Sequence, residues 1–437
     1  MKTSKLIASI AVLSLLIALA AFYIGFSARR EALTPGRGNS LPNLAAGQDR
    51  VQNAEERARM ERYAAQLQSS KQVVKSFPGP SGETIDCVDI YSQPALKRPG
   101  MEGHVVQLAP GRVPQAPNPS FNHEEKLQVP NQLFALTGET CPERSVPMER
   151  LTMDTLKRFR TLDEFFRKKY IDIRKPTGGN SGANIHEYAH AARSVNNWGA
   201  ESIFNLWSPY VETTGEFSLS QMWVTRGSGA SLQTVEGGWQ VYHDLYGDWR
   251  AHLFIYFTPD NYGSGGCYNL SCNGFVQTNG TVYLAGGFTN YSSAGGGQPE
   301  FKLLWYKDGV AGGSNNWWLK YNDTWVGYYP RTLFNSDGLA NSSNYVDFGG
   351  EIVNDRTDNR HTETDMGSGY WPYQGYGWAA YQRAVRYVDT SNYYQQATGL
   401  SRSVTNNMCY DLNLLSSTGS WEQYFYFGGS GRNTYCP

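Results

Sequence analysis

The chain has 437 residues, a length that suggests two or three segments rather than one ordinary domain. Its 38 basic and 39 acidic residues give a formal net charge of -1, which argues against nucleic acid or an anionic membrane surface as a partner. Charged residues are scarce at 18%, whereas aromatic residues reach 14% and glycines number 46. That composition indicates a β-rich protein with many tight turns rather than a helical bundle.

The chain begins with a targeting segment. Lys2 and Lys5 precede an apolar run over residues 6–26, and the small residues at 18–20 are typical of a signal-peptidase site. The run is also long enough to cross a bilayer, which takes about 20 residues. We therefore predict that residues 1–28 are a signal peptide, with a signal anchor as the alternative, and that the protein is secreted. A membrane becomes a partner only if this segment stays uncleaved.

Two further segments precede a β-rich region. Residues 29–82 are polar, and we interpret them as a linker with a short helical stretch. Residues 83–180 end in a predicted basic amphipathic helix. Its apolar stripe is Leu156, Phe159, Phe165 and Phe166, and its basic residues are Arg158, Arg160, Arg167, Lys168 and Lys169. Because the Gly- and Pro-containing stretch at 176–182 breaks regular structure, we place a domain boundary between residues 180 and 181.

Residues 181–437 contain short runs in which apolar and polar residues alternate between Gly, Asn and Ser clusters. Examples are FNLWSPYVE, EFSLSQMWVT, AHLFIYFTP and YVDFGGEIV. Many β-branched and aromatic runs at short spacing predict an all-β fold, an antiparallel β-sandwich of about 250 residues. The region has no fixed-period repeat and no glycine-rich phosphate loop.

Six cysteines fit an oxidising compartment, and the absence of a CxxC pair argues against a structural zinc site. Six cysteines allow fifteen connectivities, of which pairing each cysteine with its neighbour in the sequence is the simplest. The neighbours are Cys87 with Cys141, Cys267 with Cys272, and Cys409 with Cys436.

The stretch HEYAH at residues 186–190 matches the His-Glu-x-x-His signature of zinc peptidases. On a helix, His186 and His190 would share a face and could hold zinc, with Glu187 as general base. The extended form of the motif fails, because Arg193 and Asn196 stand where Gly and His are required. Candidates for a third ligand are Glu201, Glu212 and Glu216. We favour the alternative, a polar strand that enters the β-rich region, and expect no metal and no other cofactor.

Two glutamates stand beside Gly-Gly pairs in strand-like runs, Glu236 in TVEGGWQVY and Glu351 in DFGGEIVN. Alternate residues of a strand share a face. Glu236 therefore shares a face with Gly238, Gln240 and Tyr242, and Val235, Trp239 and Val241 point to the core. Glu351 likewise shares a face with Gly349 and Asp347, and Phe348 and Ile352 point inward.

Glycine in a strand often marks the close approach of another backbone, so we expect room for an extended polymer beside these two carboxylates. A pair of carboxylates can divide general acid and base work, because proximity separates their pKa values. On the pattern alone, we favour the alternative that both glutamates are ordinary surface residues, because polar residues normally occupy the outward positions of a strand.

Several longer segments resemble a known family, the neprosins. ETIDCVDIYSQPAL and CPERSVPMER resemble the start and end of the neprosin activation domain. FNLWSPYV, EFSLSQMWV, TVEGGWQVYHDLYGD, HLFIYFTPDNY, GCYNLSCNGFVQT, YVDFGGEIVN and HTETDMGSGY follow in the order of the neprosin catalytic domain. The resemblance covers residues 83–437, and many ordered matches are far more specific than one five-residue motif.

The resemblance implies an acid-acting glutamic endopeptidase that is secreted as a zymogen, with an activation propeptide over residues 83–180 and a β-sandwich catalytic domain over 181–437. It implies that Glu236 and Glu351 are the catalytic pair, that polypeptides containing proline are the substrates, and that cleavage follows proline. It also implies the disulfides Cys267–Cys272 and Cys409–Cys436. The HEYAH stretch carries no metal in such proteins.

The hypothesis for mechanism is that the two glutamates hold one water. The ionised carboxylate takes a proton from the water as it attacks the scissile carbonyl, and the protonated one stabilises the oxyanion and supplies the leaving amine. Gln240, Tyr242, Gly238 and Gly349 are candidate substrate contacts. The propeptide would cover the cleft as an intramolecular inhibitor, with its basic helix against acidic groups.

Two rival functions use the same face. A β-sandwich glycoside hydrolase also places two carboxylates on one face, and the many Trp and Tyr residues suit sugar stacking. A carbohydrate-binding module would need neither glutamate for turnover. A zinc peptidase is the third alternative.

Overall fold

A computed structural model of the protein describes residues 49–116, 127–168, 185–309 and 313–437. The helices among these residues are α1 (Ala54–Ser69), α2 (Met153–Leu156), α3 (Leu162–Phe166) and α4 (His243–Tyr246). The strands are β1 (Val73–Pro78), β2 (Thr84–Asp89), β3 (Ser145–Glu149), β4 (Ile185–Asn197), β5 (Gly199–Asn205), β6 (Ser218–Arg226), β7 (Gln233–Val241), β8 (Ala251–Thr258), β9 (Cys267–Tyr268), β10 (Val276–Gln277), β11 (Glu300–Lys307), β12 (Trp317–Tyr321), β13 (Thr324–Tyr329), β14 (Ser343–Asn354), β15 (Ala380–Val388), β16 (Tyr394–Gln396), β17 (Ser401–Val404), β18 (Asp411–Ser416) and β19 (Gln423–Gly428). Short 3₁₀-helices span Pro94–Lys97, Leu133–Thr137, Gly229–Ser231, Arg331–Leu333 and Pro372–Gln374.

Two antiparallel sheets form a β-sandwich, which confirms the predicted fold class. The seven-stranded sheet has the order β17-β4-β14-β6-β7-β8-β9. The nine-stranded sheet has the order β10-β13-β12-β11-β5-β15-β19-β18, with β16 paired to β15. One apolar core joins the two sheets and includes Trp239 and Phe348 from the first and Trp305 and Phe427 from the second.

The alternation of residues along β7 and β14 decides which side chains enter this core. Val235, Trp239 and Val241 are buried in it, and so are Phe348 and Ile352, as the sequence predicted. The intervening residues lie on the opposite face of the seven-stranded sheet. We call this face, which turns away from the sandwich core, the outer face.

Helices of the N-terminal region, residues 49–116 and 127–168, cover the outer face, and another part of the region packs on Trp318 and Tyr328 of the nine-stranded sheet. Its strands form a three-stranded sheet in the order β1-β2-β3. Met60 and Leu67 of α1 are buried in one apolar cluster with Trp223 and Tyr256 of the seven-stranded sheet. The interpretation of residues 29–82 as a linker is therefore wrong for the described part, because α1 and β1 bury apolar side chains there.

The predicted single basic helix at the end of this region is also wrong. The chain forms the short helices α2 and α3 instead, and Thr161 caps α3 by accepting a hydrogen bond from the Glu164 backbone N–H at 3.0 Å. The break brings Phe159 and Phe165 into the cluster on the outer face. Since most helical stability comes from tertiary packing, burial of these two rings outweighs the continuous helical pattern.

The three predicted disulfides are present, Cys87–Cys141, Cys267–Cys272 and Cys409–Cys436. The predicted targeting segment 1–28 lies outside the described residues, and so does the boundary between residues 180 and 181. Within the described ranges, no helix is both long and apolar enough to span a bilayer.

Candidate active site

Glu236 and Glu351 lie on the outer face, on strands β7 and β14, which flank β6. Glu236 is paired with Trp223 of β6, and Glu351 is paired with Leu219 of the same strand. Their exposed fractions are 0% and 1%, so the alternative of two ordinary surface residues is wrong.

Lys168 of the N-terminal region lies between the two carboxylates. Its Nζ atom is 2.8 Å from Oε2 of Glu236 and 2.8 Å from Oε2 of Glu351. The Lys168 side chain is 2% exposed, and its ammonium also lies 5.2 Å from the centre of the Trp223 ring. Burial by itself lowers the pKa of Lys168, but the two carboxylates outweigh burial and raise it. The group between the glutamates is therefore a cation.

Hydroxyl groups anchor the second oxygen of Glu236. Oε1 accepts hydrogen bonds from Thr234 Oγ1 at 2.7 Å and from the Tyr262 hydroxyl at 2.6 Å. Burial, together with the charge of Glu236, raises the pKa of Tyr262 well above its usual value, so this hydroxyl keeps its proton. Oε2 is thereby left to face Lys168.

An imidazole anchors the second oxygen of Glu351. Nδ1 of His186 is 2.5 Å from Oε1, and Gln221 Nε2 donates to Oε2 at 3.2 Å. Burial raises the pKa of Glu351, but the charge of Lys168 and the bond to His186 outweigh burial and lower it below its usual value. Glu351 is thus ionised in this arrangement.

The glycines beside the glutamates serve the contact between strands. Gly238 and Gly349 are paired with Gln221 of β6 from its two sides. A Cβ atom at Gly238 would lie 1.9 Å from the Ser220 carbonyl oxygen, and one at Gly349 would lie 2.3 Å from that of Ala189. The absence of two side chains leaves Gln221 open on both flanks, and its Oε1 has no hydrogen-bond partner among the described residues.

The two other predicted contacts are not at the carboxylate pair. Gln240 Oε1 accepts a hydrogen bond from the Tyr246 hydroxyl at 3.2 Å. Tyr242 lines a cavity of about 310 Å³, together with Phe217 and Asp355. The N-terminal region contributes Arg160 and Arg167 to the lining of that cavity.

The HEYAH stretch belongs to strand β4, as predicted, and not to a helix. Residues four apart in a strand are about 13 Å apart, so His186 and His190 cannot ligate one ion together. Nδ1 of His190 bonds Asp347 instead, at 2.7 Å, and Glu187 bonds His361. In the part of the chain that the structure describes, the cluster with metal-like spacing is His361 with Cys409 and Cys436, and that cysteine pair forms a disulfide.

The sequence predicted no role for four residues of the site, namely Thr234, Gln221, Tyr262 and Trp223. It predicted Lys168 only as one of five basic residues of a helix, and His186 only as a candidate zinc ligand. Thr234 shares the strand parity of Glu236, which is a usable signal. Tyr262 follows β8 in a loop, and no local pattern connects it to β7.

Residues 76–192 match the neprosin activation peptide family, and residues 214–430 match the neprosin family. The chain belongs to the neprosin family. Its activation peptide is N-terminal to the neprosin domain, as predicted, and the match to the peptide includes Lys168. Membership supports a peptidase of the glutamic type that is made with an activation peptide.

The neprosin-type sandwich is also similar to solved structures. Two are crystal structures of scytalido-glutamic peptidase with transition state analogues. The first shares 8% sequence identity with a TM-score of 0.31, and the match covers 56% of this chain and 99% of that chain. The second shares 9% sequence identity with a TM-score of 0.32, and the match covers 56% of this chain and 98% of that chain. A β-porphyranase of the human gut bacterium Bacteroides plebeius shares 6% with a TM-score of 0.21 and covers 56% and 65%. Only the family match bears on function.

Proposed function

We propose that the chain is the latent precursor of an acid-acting glutamic endopeptidase, in which Glu236 and Glu351 activate one water. The observation that carries this proposal is the shared contact of both Oε2 atoms with Lys168 Nζ, at 2.8 Å each. An ammonium nitrogen and a water oxygen are similar in size and in hydrogen-bond length. Once Lys168 leaves, a water can occupy the same point and contact both carboxylates.

The chemistry follows from unequal protonation of the pair. Two carboxylates that share one site cannot both ionise easily without a cation between them, so in acid one of them keeps a proton. The ionised carboxylate takes a proton from the water as it attacks the peptide carbonyl. The protonated one donates a hydrogen bond to the developing oxyanion and transfers its proton to the leaving amine when the C–N bond breaks. Activity is therefore greatest in acid and declines when both carboxylates ionise.

The N-terminal region acts as an intramolecular inhibitor in this proposal. It supplies one cation that contacts both glutamates, and its rings Phe159 and Phe165 cover the outer face. The contact is a buried ion triad, in which removal of one member leaves uncompensated charge. A substrate cannot reach the pair while Lys168 is in place.

Cleavage after proline is the finer part of the proposal. Its support is the family resemblance, together with aromatic side chains beside the pair. Tyr188 is paired with Glu351 across β4 and β14, and Trp223 is paired with Glu236. Flat aromatic faces suit a pyrrolidine ring, which is apolar and compact.

The test is cleavage of unlabelled protein substrates by the acid-treated full chain, with cut sites mapped by mass spectrometry in the presence and absence of a chelator. We expect chelator-resistant cutting that Glu236→Gln and Glu351→Gln each reduce by at least about a thousandfold. Asp323→Asn is the control carboxylate. The Asp323 side chain is 93% exposed and lies in the turn between β12 and β13, on the other sheet from the two glutamates. The map shows whether proline precedes the cut.

Three results contradict the proposal. Cutting that survives in both glutamine variants excludes the carboxylate pair as the catalytic residues. Loss of cutting in the presence of chelator supports a zinc peptidase. Absence of peptide cutting with release of sugars from a polysaccharide supports the rival glycoside hydrolase.

A further inference from the structure

His186 contacts Glu351 but takes no part in the proton transfers of the proposed reaction. It lies on β4, next to β14, and is paired with Val353 rather than with Glu351. Its Nδ1 reaches diagonally across the sheet to Oε1 of Glu351 at 2.5 Å. The His186 side chain is fully buried.

The position of this bond determines where the other oxygen of Glu351 points. A carboxylate with one oxygen held by a rigid ring can rotate little, so Oε2 stays directed at the point that Lys168 Nζ occupies. Glu236 has the same division, with Oε1 held by Thr234 and Tyr262 and Oε2 directed at Lys168. Each glutamate thus has one anchored oxygen and one that faces the shared point.

The two anchors differ in chemistry. Thr234 and Tyr262 present hydroxyls, which can donate to a carboxylate or accept from a carboxylic acid. An imidazole Nδ1–H can only donate, and it favours the ionised form of the carboxylate that it faces. Nε2 of His186 has no hydrogen-bond partner among the residues described, so no other acceptor competes for the ring.

We propose that His186 is a positioning residue for the reaction, which aims Oε2 of Glu351 at the attacking water and makes Glu351 the general base and Glu236 the general acid. The inference rests on the proposed function, because it assigns the two roles within the same pair. The proton path follows directly. The water gives one proton to Glu351, and Glu236 donates a hydrogen bond to the oxyanion and then transfers its one proton to the amine nitrogen as the C–N bond breaks.

Two aromatic rings pack against His186. The Tyr188 ring stacks at 6.2 Å, and Phe217 makes an edge contact at 5.7 Å. Lys168 lies on the far side of Glu351, bound to the opposite oxygen. His190 is a further charged neighbour of Glu351 but bonds Asp347, so His186 is the imidazole that contacts Glu351 directly.

Two amide variants distinguish loss of the hydrogen bond to Glu351 from a change in the size of the side chain. In His186→Asn the amide nitrogen takes the place of Nδ1 and keeps the donor to Glu351, whereas in His186→Gln it takes the place of Nε2 and removes that donor. We compare kcat and KM over a pH series for the acid-activated full chain. We expect His186→Gln to lower kcat about a hundredfold with KM nearly unchanged. The acidic limb of the kcat–pH profile of His186→Gln should move to higher pH by about one unit, because Glu351 then protonates more easily.

His186→Asn should recover most of kcat and the original acidic limb. His190→Gln is the matched control, since His190 lies on the same strand and face and loses a similar bond, to Asp347. We expect it to leave the acidic limb in place. If His186→Gln does not fold, His186→Leu replaces it as the variant without a donor. The acidic limb of its kcat–pH profile is then compared with that of His186→Asn.

Wild-type kcat and pH dependence in His186→Gln would overturn the inference. Equal losses in the Asn and Gln variants, matched by equal drops in melting temperature, would also overturn it, because they indicate a structural role only. Glu351→Gln is measured beside them. If that variant is active, the proposed function itself fails, whereas an inactive Glu351→Gln beside an unaffected His186→Gln contradicts only the role of His186.

Discussion

Glu236 and Glu351 lie on strands that are not neighbours, yet one oxygen of each is 2.8 Å from the same ammonium nitrogen. The shared point exists because β6 separates the two strands and presents Gln221, flanked by glycines, between them. A single cation at this point satisfies both carboxylates at once. In the proposed function, latency and catalysis therefore depend on the same point between the two carboxylates.

Removal of this cation should weaken latency. In Lys168→Met the two carboxylates remain buried without a positive partner, which costs about 3–5 kcal/mol of precursor stability. One carboxylate then takes up a proton at a higher pH, and the N-terminal region has no charge that holds it on the pair. We expect the pH at which the precursor begins to cut a peptide substrate to rise by about one unit or more.

The measurement is the rate of substrate cleavage by freshly purified full chain after transfer to a series of acid buffers. Lys157→Met is the control, because Lys157 pairs with the exposed Asp154 on the surface and does not contact the site. We expect that variant to follow the wild-type curve. An unchanged onset in Lys168→Met would show that Lys168 does not maintain latency.

The two glycines beside the glutamates should be required for the stability of the seven-stranded sheet. A methyl group at Gly349 would meet the Ala189 carbonyl oxygen at 2.3 Å, and one at Gly238 would meet that of Ser220 at 1.9 Å. Both obstacles are backbone atoms of the next strand, which can move only if the sheet opens. We expect Gly349→Ala and Gly238→Ala each to lower the free energy of unfolding by at least about 2 kcal/mol.

Urea unfolding of the precursor at neutral pH measures this loss. Gly297→Ala is the matched control, since nothing lies within 4 Å of its added methyl group. That variant should stay within about 0.5 kcal/mol of wild type. If all three glycine variants unfold at the same urea concentration, the strands do not need the glycines for close approach.

Strand parity in the sequence predicted which side chains of β7 and β14 enter the sandwich core, and the structure confirms Trp239 and Phe348 there. Parity also set Glu236 and Glu351 on one side of their strands. It could not predict that β6 lies between them, because local alternation carries no information on which distant strands pair. The family resemblance, and not parity, predicted that the two glutamates form one pair.

The residues that complete the site were hard to predict for a related reason. His186 belongs to a motif whose known chemistry requires a helix, and here the same residues form a strand with a carboxylate on the neighbouring strand. Lys168 is one of several basic residues in a segment predicted as one continuous helix. Its burial between two carboxylates depends on the break between α2 and α3, which tertiary packing imposes.

Away from the site, Glu216 makes the pH dependence of precursor stability testable. Burial and the nearby charge of Asp355 raise the pKa of Glu216 from 4.5 to about 8. The unfolded chain releases this proton near the usual value, whereas the folded chain retains it up to about pH 8. The contribution of Glu216 to stability is therefore present below pH 4.5 and is lost as the pH rises towards 8.

The Glu216→Gln side chain has no proton to lose. The melting temperature of this variant should therefore fall less between pH 5 and pH 8 than that of the parent protein, which retains Glu216. The Gln side chain can still accept the bond from the Asp355 backbone N–H, which is 3.1 Å from Oε1 in Glu216. Both proteins carry Glu236→Gln, so that self-cleavage does not interfere at pH 5. The exposed Asp323→Asn control should run parallel to the parent. Parallel curves for Glu216→Gln as well would mean that the carboxylate is ionised in the folded precursor throughout this range, and that Thr362 and the backbone stabilise its charge despite burial.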